Sequence, residues 1–277
     1  MTIPQIPSTT LNDGYEMPLL GLGTYKLGDD TENLVRRAIE LGYRHIDTAS
    51  LYGNEEAVGR AINGAIAAGD VSREDLFVVT KLWNDDQGNV GKAYQESLRK
   101  LNLDFVDMYM IHWPDPRQGR FVQAFEDMAR LQGLGQLQSL GVANFYEEVL
   151  DELIEQSGIT PAVNQVELHV GFTQDELRSH NTKRGIVTEA WAPLARATLV
   201  HNPDIKAISA KYDKTYSQIM LRFLLQLGIS SVPKTSSPER LEENLGIFDF
   251  RLVKGDMDVL ARIAGERLSN DPRTFPV

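Results

Sequence analysis

The stretch that decides the fold lies between residues 76 and 112. It opens with Leu76-Phe77-Val78-Val79-Thr80-Lys81, runs through a segment of helical length at 88–101, and returns to Val106-Asp107-Met108-Tyr109-Met110-Ile111-His112. Two apolar runs of strand length separated by a helix form the repeat unit of a parallel sheet. Parallel neighbours need a crossover, and their strands are covered on both faces. The alternation extends in both directions, with strands expected at 19–23, 44–48, 138–143, 162–167, 186–191 and 229–233. Helical segments at 31–41, 54–68, 123–133, 147–156, 173–184 and 215–227 lie between them, several opening on Asn, Asp, Ser or Thr as capping residues. Eight strands in 277 residues predict an α/β fold, a single (β/α)8 TIM barrel over residues 1–277, with an open doubly wound sheet as the alternative. Ahead of the first strand, Asp13-Gly14 between short extended stretches predicts an N-terminal β-hairpin that caps the barrel.

Composition narrows the function classes. An apolar fraction of 42% with 24% charged residues is that of a globular domain, not of a disordered chain or a coiled coil. The 28 Lys and Arg against 39 Asp and Glu give a net charge of −11, which argues against nucleic acid or an anionic membrane as partner and leaves a small molecule. No run approaches the roughly 20 apolar residues of a membrane span, and the first residues lack a secretion signal, so a cytoplasmic monomer is expected. The chain has no cysteine, which removes disulfides, thiolate nucleophiles and cysteine-bound metals. Its five histidines form no metal-binding helical pair, and no metal is expected.

Several familiar motifs fail. Gly21-Leu22-Gly23-Thr24-Tyr25-Lys26 has Lys26 where a dinucleotide-binding turn needs its third glycine, so any nicotinamide cofactor binds without that turn. Gly91-Lys92-Ala93 lacks the hydroxyl residue and the upstream glycine of a phosphate-binding loop. Leu137-Gln138-Ser139-Leu140-Gly141 lacks the first glycine of a nucleophile elbow.

In a barrel, the carboxyl ends of the strands converge on one face, and polar residues there are the candidates for chemistry. Asp47 ends the second strand, Tyr52 follows in its loop, Lys81 ends the third strand and His112 ends the fourth. A phenol of ordinary pKa near 10 becomes a usable proton donor when an ammonium stabilises its phenolate, and Lys81 is placed to do this for Tyr52. Asp47 holds Lys81 charged, and His112 hydrogen-bonds a carbonyl oxygen. A second cluster lies where the eighth strand passes into a helix. Ser237-Pro238 reads as cap and first helical residue, an anion site flanked by Lys234, Thr235 and Arg240, with Glu243 and Asn244 one turn on.

These two clusters make the chain resemble the aldo-keto reductases, most closely those of the bacterial 2,5-diketo-D-gluconate reductase type. The motifs that carry the resemblance are Gly42-Tyr43-Arg44-His45-Ile46-Asp47-Thr48-Ala49, Tyr52-Gly53-Asn54-Glu55, Thr80-Lys81-Leu82-Trp83, Asp107 to Pro114, Asn164-Gln165-Val166-Glu167 and Lys234 to Asn244. The resemblance implies NADPH-dependent reduction of aldehydes or ketones, with Tyr52 as proton donor assisted by Lys81, Asp47 and His112. It implies that Asn144 and Gln165 hold the nicotinamide carboxamide, and that Trp191 stacks on the ring. It implies Gly23, Thr24, Asp47 and Leu194 as further cofactor contacts, with Lys234, Thr235 and Arg240 taking the 2′-phosphate and Glu243 and Asn244 the adenine. Tyr25, Trp83 and Trp113 are expected as substrate-pocket walls. Ala143 and Ala192 stand where the family usually has serine, and the tail after Phe250 is short, so the long C-terminal loop that narrows substrate choice in larger relatives is not expected. Two other readings stand beside this one: a sensor that holds NADPH and turns over slowly, and a barrel glycosidase using Glu167 and Glu189 as paired carboxylates.

Overall fold

In the computed structural model, which describes residues 5–275, the chain opens with an antiparallel hairpin of β1 (Ser8–Thr10) and β2 (Glu16–Pro18). Its turn closes through Leu11 N–H donating to Tyr15 O at 2.8 Å and Gly14 N–H donating to Leu11 O at 3.0 Å. Eight parallel strands follow, each hydrogen-bonded to the next in chain order: β3 (Gly21–Gly23), β4 (His45–Asp47), β5 (Phe77–Leu82), β6 (Met108–Ile111), β7 (Ser139–Ala143), β8 (Val163–Glu167), β9 (Val187–Trp191) and β10 (Ser230–Ser231). The last strand returns to the first: Ser231 N–H donates to Leu19 O and Gly23 N–H to Pro233 O, each at 3.1 Å. The sheet therefore closes into a (β/α)8 barrel. A Cβ at Gly23 would lie 2.7 Å from Val232 O, so this seam needs glycine.

The connecting helices are α1 (Thr31–Leu41), α2 (Glu55–Ala68), α3 (Val90–Leu101), α4 (Phe121–Gly133), α5 (Glu147–Ser157), α6 (Asp175–Lys183), α7 (Pro203–Tyr212), α8 (Tyr216–Gln226), α9 (Pro238–Leu245) and α10 (Lys254–Arg262). The longer of these lay an apolar stripe on the barrel, as α1 does with Leu34, Val35, Ala38 and Ile39. Two of these helices were not expected. Helix α7 starts at a proline that reads as a breaker but sits at the first helical position, where Asn202 caps the N–H groups of Asp204 and Ile205. Helix α10 is anchored on α7 by Lys211 and Tyr212, which both donate to Asp256.

The barrel interior is divided along its axis. At the amino end, Leu11 and Met17 of the hairpin are buried against Phe77, Val79, Met108 and Met110. Burial of side chains this size stabilises by about 1.5–3 kcal/mol each, which is how the hairpin serves as a cap. At the carboxyl end the interior is polar, with Asp47, Lys81, Gln165 and Glu189 all buried. Among the described residues, no helix is long and apolar enough to cross a membrane.

Candidate active site

Lys81 is fully buried near the end of β5, and its Nζ donates to both carboxylate oxygens of Asp47 at 2.7 Å and to Thr48 O at 2.9 Å. These three bonds engage all three N–H groups, as a desolvated ammonium requires. Burial opposes its charge, but the Asp47 carboxylate, together with Tyr52 and Glu189, outweighs that penalty and moves its pKa above the ordinary lysine value.

Tyr52 ends the short 3-10 turn Ser50–Tyr52 that follows β4, and Gly53 closes the turn at φ 68°, a conformation that favours glycine. The loop is fixed on both sides. Ser50 Oγ donates to Lys81 O at 2.9 Å, Thr48 Oγ1 to Asn54 Oδ1 at 3.0 Å, and Asn54 Nδ2 to Thr24 O at 2.8 Å. Asn54 therefore ties the loop down; its side chain does not cap α2. The Tyr52 ring centroid lies 5.3 Å from Lys81 Nζ. Burial pushes the phenol up to about 12; the Lys81 charge pulls it down, and Asp47 pushes it up again. The sequence argument gives the balance to Lys81, but in the folded site desolvation is the larger effect.

His112 is buried beside Tyr52, the two rings meeting edge to face at 5.6 Å, with Trp83 on it at 5.3 Å. Burial, and then the Lys81 charge, hold its pKa well below the usual histidine range, so the ring is neutral at neutral pH. Its Nδ1 is buried with no partner among the described residues.

Tyr52, His112 and Asp47 open onto a cavity of about 690 Å³ at the carboxyl end of the barrel. Tyr25, Trp83 and Trp113 line it, as do Gly23, Asn144, Gln165, Trp191, Leu194 and Lys234. Lys81 lies behind this wall, and Thr24 is fully buried with its hydroxyl donating to Asp47 O at 3.0 Å. Asn144, at φ 64°, donates from Nδ2 to His112 O at 2.9 Å and accepts from Trp191 Nε1 at 2.9 Å. Gln165 Nε2 donates to Asp47 Oδ2 at 2.8 Å and to Glu189 Oε2 at 2.6 Å.

At the start of α9, Ser237 Oγ caps the helix by accepting from Arg240 N–H at 3.3 Å. Lys234 and Arg240 are exposed, and Arg240 makes no ion pair among the described residues. Thr235 is buried and its Oγ1 accepts from Ser237 N–H at 3.1 Å; Asn244 is buried with Oδ1 unpartnered among the described residues. The Glu243 carboxylate accepts from Thr215 Oγ1 at 2.7 Å.

Two expectations are corrected. The chain beyond α10 does reach over the cavity, which Ser269, Asn270 and Phe275 line, with Phe275 4.6 Å from Trp113 and 6.3 Å from Trp83. Leu268 N–H donates to Glu167 Oε1 at 2.6 Å, and the Arg273 guanidinium sits 4.5 Å over Tyr146 and 3.5 Å from both Glu147 and Glu148. The paired-carboxylate reading also fails, because Glu167 and Glu189 are fully buried and neither lines the cavity. Lys26, Leu51 and Arg196 join the wall without having been singled out. The only sequence signal for Arg196 is a cation beside Pro193-Leu194. Its backbone, at φ 46° between Ala195 at 48° and Ala197 at 63°, has no signal in the residue types.

Comparison with known proteins bears on the family and the fold. The sequence model of the Aldo/keto reductase family matches residues 19–264. The chain is similar to an aldo-keto reductase of Mycolicibacterium smegmatis, 46% identical over 97% of this chain and 98% of that protein. It is also similar to methylglyoxal reductase DkgA of Yersinia pestis, 43% identical over 97% of each. The crystal structure of a Bombyx mori aldo-keto reductase in complex with NADP superposes with a TM-score of 0.91 at 35% identity, covering 98% of this chain and 97% of that one.

Proposed function

The chain belongs to the aldo/keto reductase family, and on that premise we propose that it reduces a small aldehyde, ketone, dicarbonyl or keto-sugar to the alcohol with NADPH. The observation that carries this reading is the buried Lys81–Asp47 pair, with both bonds at 2.7 Å, set behind Tyr52 while a neutral His112 borders the same cavity. The fit to the cofactor rests on this chain's own groups. Two amides and an indole line the cavity, the Asn244 Oδ1 is buried and unpartnered among the described residues, and two exposed cations flank a capped helix start. Asn144, Gln165 and Trp191 would hold the nicotinamide end, and Lys234, Thr235, Arg240 and Asn244 the adenosine phosphate end. When bound, NADPH supplies the hydride for the carbonyl carbon.

The side chains handle the proton. A phenol pushed up to about 12 is fully protonated at neutral pH, so Tyr52 always has its proton to give. An alkoxide is far more basic than that phenolate, so transfer to the developing oxygen is downhill. Lys81 stabilises the charge left on Tyr52, and Asp47 keeps Lys81 charged and in place. His112, being neutral, donates an N–H to the carbonyl oxygen without losing its proton in the donor's stead. The aromatic walls Tyr25, Trp83 and Trp113 enclose the carbonyl end of the substrate and exclude water. The name of the Yersinia pestis relative supports a small dicarbonyl such as methylglyoxal as a first substrate to try. All the named groups come from one barrel, which supports a single domain that carries the whole site.

The test is NADPH consumption by the wild type and Tyr52→Phe against a panel of aldehydes, dicarbonyls, keto-sugars and keto-steroids. Turnover lost in the variant with NADPH binding retained is expected. Normal turnover by Tyr52→Phe refutes the proton-donor role, and tight NADPH binding without turnover across the panel replaces the reductase with the sensor.

A further inference from the structure

Glu189 does not line the cavity, and above it only adds to the field that keeps Lys81 charged, yet it is a fully buried carboxylate at the polar end of the barrel. It stands in register with Gln165 on β8 and with Ser230 on β10. Its Oε2 accepts from Gln165 Nε2 at 2.6 Å, and its Oε1 accepts from Ser230 Oγ at 2.9 Å and lies 3.7 Å from His45 Nε2. His45 is itself fixed, with Nδ1 3.1 Å from Pro18 O, and its ring fits only because residue 21 is glycine: a Cβ there would lie 2.7 Å from His45 Cγ. The carboxylate is thus held rigidly from behind and presents one oxygen to Gln165.

The Gln165 amide nitrogen carries two hydrogens, and both are taken, one by Asp47 Oδ2 and one by Glu189 Oε2. At both of these bonds the carboxylate oxygen is the acceptor. Turning the amide over would set Gln165 Oε1 against two carboxylate oxygens at hydrogen-bond distance in a buried site, acceptor against acceptor twice over. Gln165 lines the cavity, so its remaining free atom, Oε1, is the one left for a ligand. We propose that Glu189 is a positioning residue that locks the Gln165 amide, so that this wall of the cavity accepts an N–H from the bound cofactor and rejects a cofactor that offers only an acceptor. The inference rests on the NADPH reading above.

The test uses NADP+ and its 3-acetylpyridine analogue, in which a methyl ketone replaces the carboxamide and no N–H remains. All three tryptophans of the chain line the cavity, so quenching of their fluorescence reads equilibrium binding without turnover. The wild type is expected to bind NADP+ roughly tenfold more tightly than the analogue, the loss that follows from a buried acceptor left unpaired. Glu189→Gln offers an N–H of its own to a turned amide and removes one of the two clashes, so the ratio is expected to fall to about threefold or less. Ser230→Ala keeps the carboxylate and is expected to keep the wild-type ratio, whereas a merely structural role would move both variants together. A wild-type ratio near one, or an unchanged ratio in Glu189→Gln, or equal losses in both variants, overturns the inference while leaving the reductase standing. Failure of the wild type to bind NADP+ overturns the cofactor reading and this inference with it.

Discussion

Lys81→Met separates the two things the buried ammonium does. Its Nζ lies 5.3 Å from the Tyr52 ring centroid, and at an effective dielectric of about 20 a unit charge at that distance contributes about 3 kcal/mol to a phenolate. If most of the tyrosine's proton has moved in the transition state, losing that term slows the chemical step by about 100-fold. The Tyr52 phenol, already pushed up to about 12 by burial, goes higher without Lys81. The substitution also strands Asp47 in the barrel without a cation, and breaking one side of a buried pair costs about 3–5 kcal/mol of stability. The double variant Asp47→Asn with Lys81→Met removes both charges, and Asn keeps an oxygen for the Gln165 N–H, so much of the lost stability is expected to return. Activity is not. The assay is the single-turnover rate of carbonyl reduction with saturating NADPH, alongside thermal unfolding of wild type, single and double variants. Recovery of rate together with stability in the double variant refutes the electrostatic role of Lys81 and reduces it to a counter-charge for Asp47.

Replacing Lys234 and Arg240 by neutral residues is expected to weaken NADPH binding far more than NADH binding, by at least tenfold in equilibrium titration, since charge-assisted phosphate contacts are lost; equal losses contradict the 2′-phosphate site. Phe275→Ala removes the ring resting on Trp113 and Trp83, and kcat/KM is expected to fall severalfold for small aldehydes and to rise for bulky ketones. Stability is expected to collapse above pH 10. Burial raises the pKa of Tyr43, Tyr52, Tyr94 and Tyr109, so the folded chain keeps protons that the unfolded chain releases above about pH 10, and each costs about 1.4 kcal/mol per pH unit from there. Lys81, also raised, adds a loss of the same sign as pH climbs past the ordinary lysine value. Phenolate absorbance at about 295 nm and loss of far-ultraviolet circular dichroism should therefore rise together; phenolate appearing in a chain that stays folded contradicts the burial argument.

Much of the barrel was legible because its signal is local. Val78, Val79, Ile111 and Val142 sit in strands covered on both faces, which makes continuous apolar runs, and the helices between them carry their own apolar stripes and starts. What the periodicity overran was the strand ends: residues 229–233 shrink to Ser230–Ser231 because only two residues there make the ladder with β9. The grouping of Asp47, Tyr52, Lys81 and His112 was legible for the same reason, since a strand's end marks which face a side chain reaches. The tail was not. Nothing within residues 263–275 says that Phe275 will rest on Trp113, because that contact is made by Arg273 at Glu147 and Glu148 and by Leu268 at Glu167, partners more than 100 positions away.

By itself the sequence determined the eight-fold alternation, the hairpin cap, the identity of Asp47, Tyr52, Lys81 and His112, and the cations at the start of α9. Each is written in spacing that a short stretch of chain can carry. Tertiary structure alone decided the balance of the site's chemistry: that burial outweighs Lys81 in setting the Tyr52 phenol, that Glu243 accepts from Thr215, and that Glu189 spends an N–H of Gln165. Desolvation and hydrogen-bond partnership depend on which atoms distant segments bring within about 3 Å of one another, and closing the barrel is what brings them there.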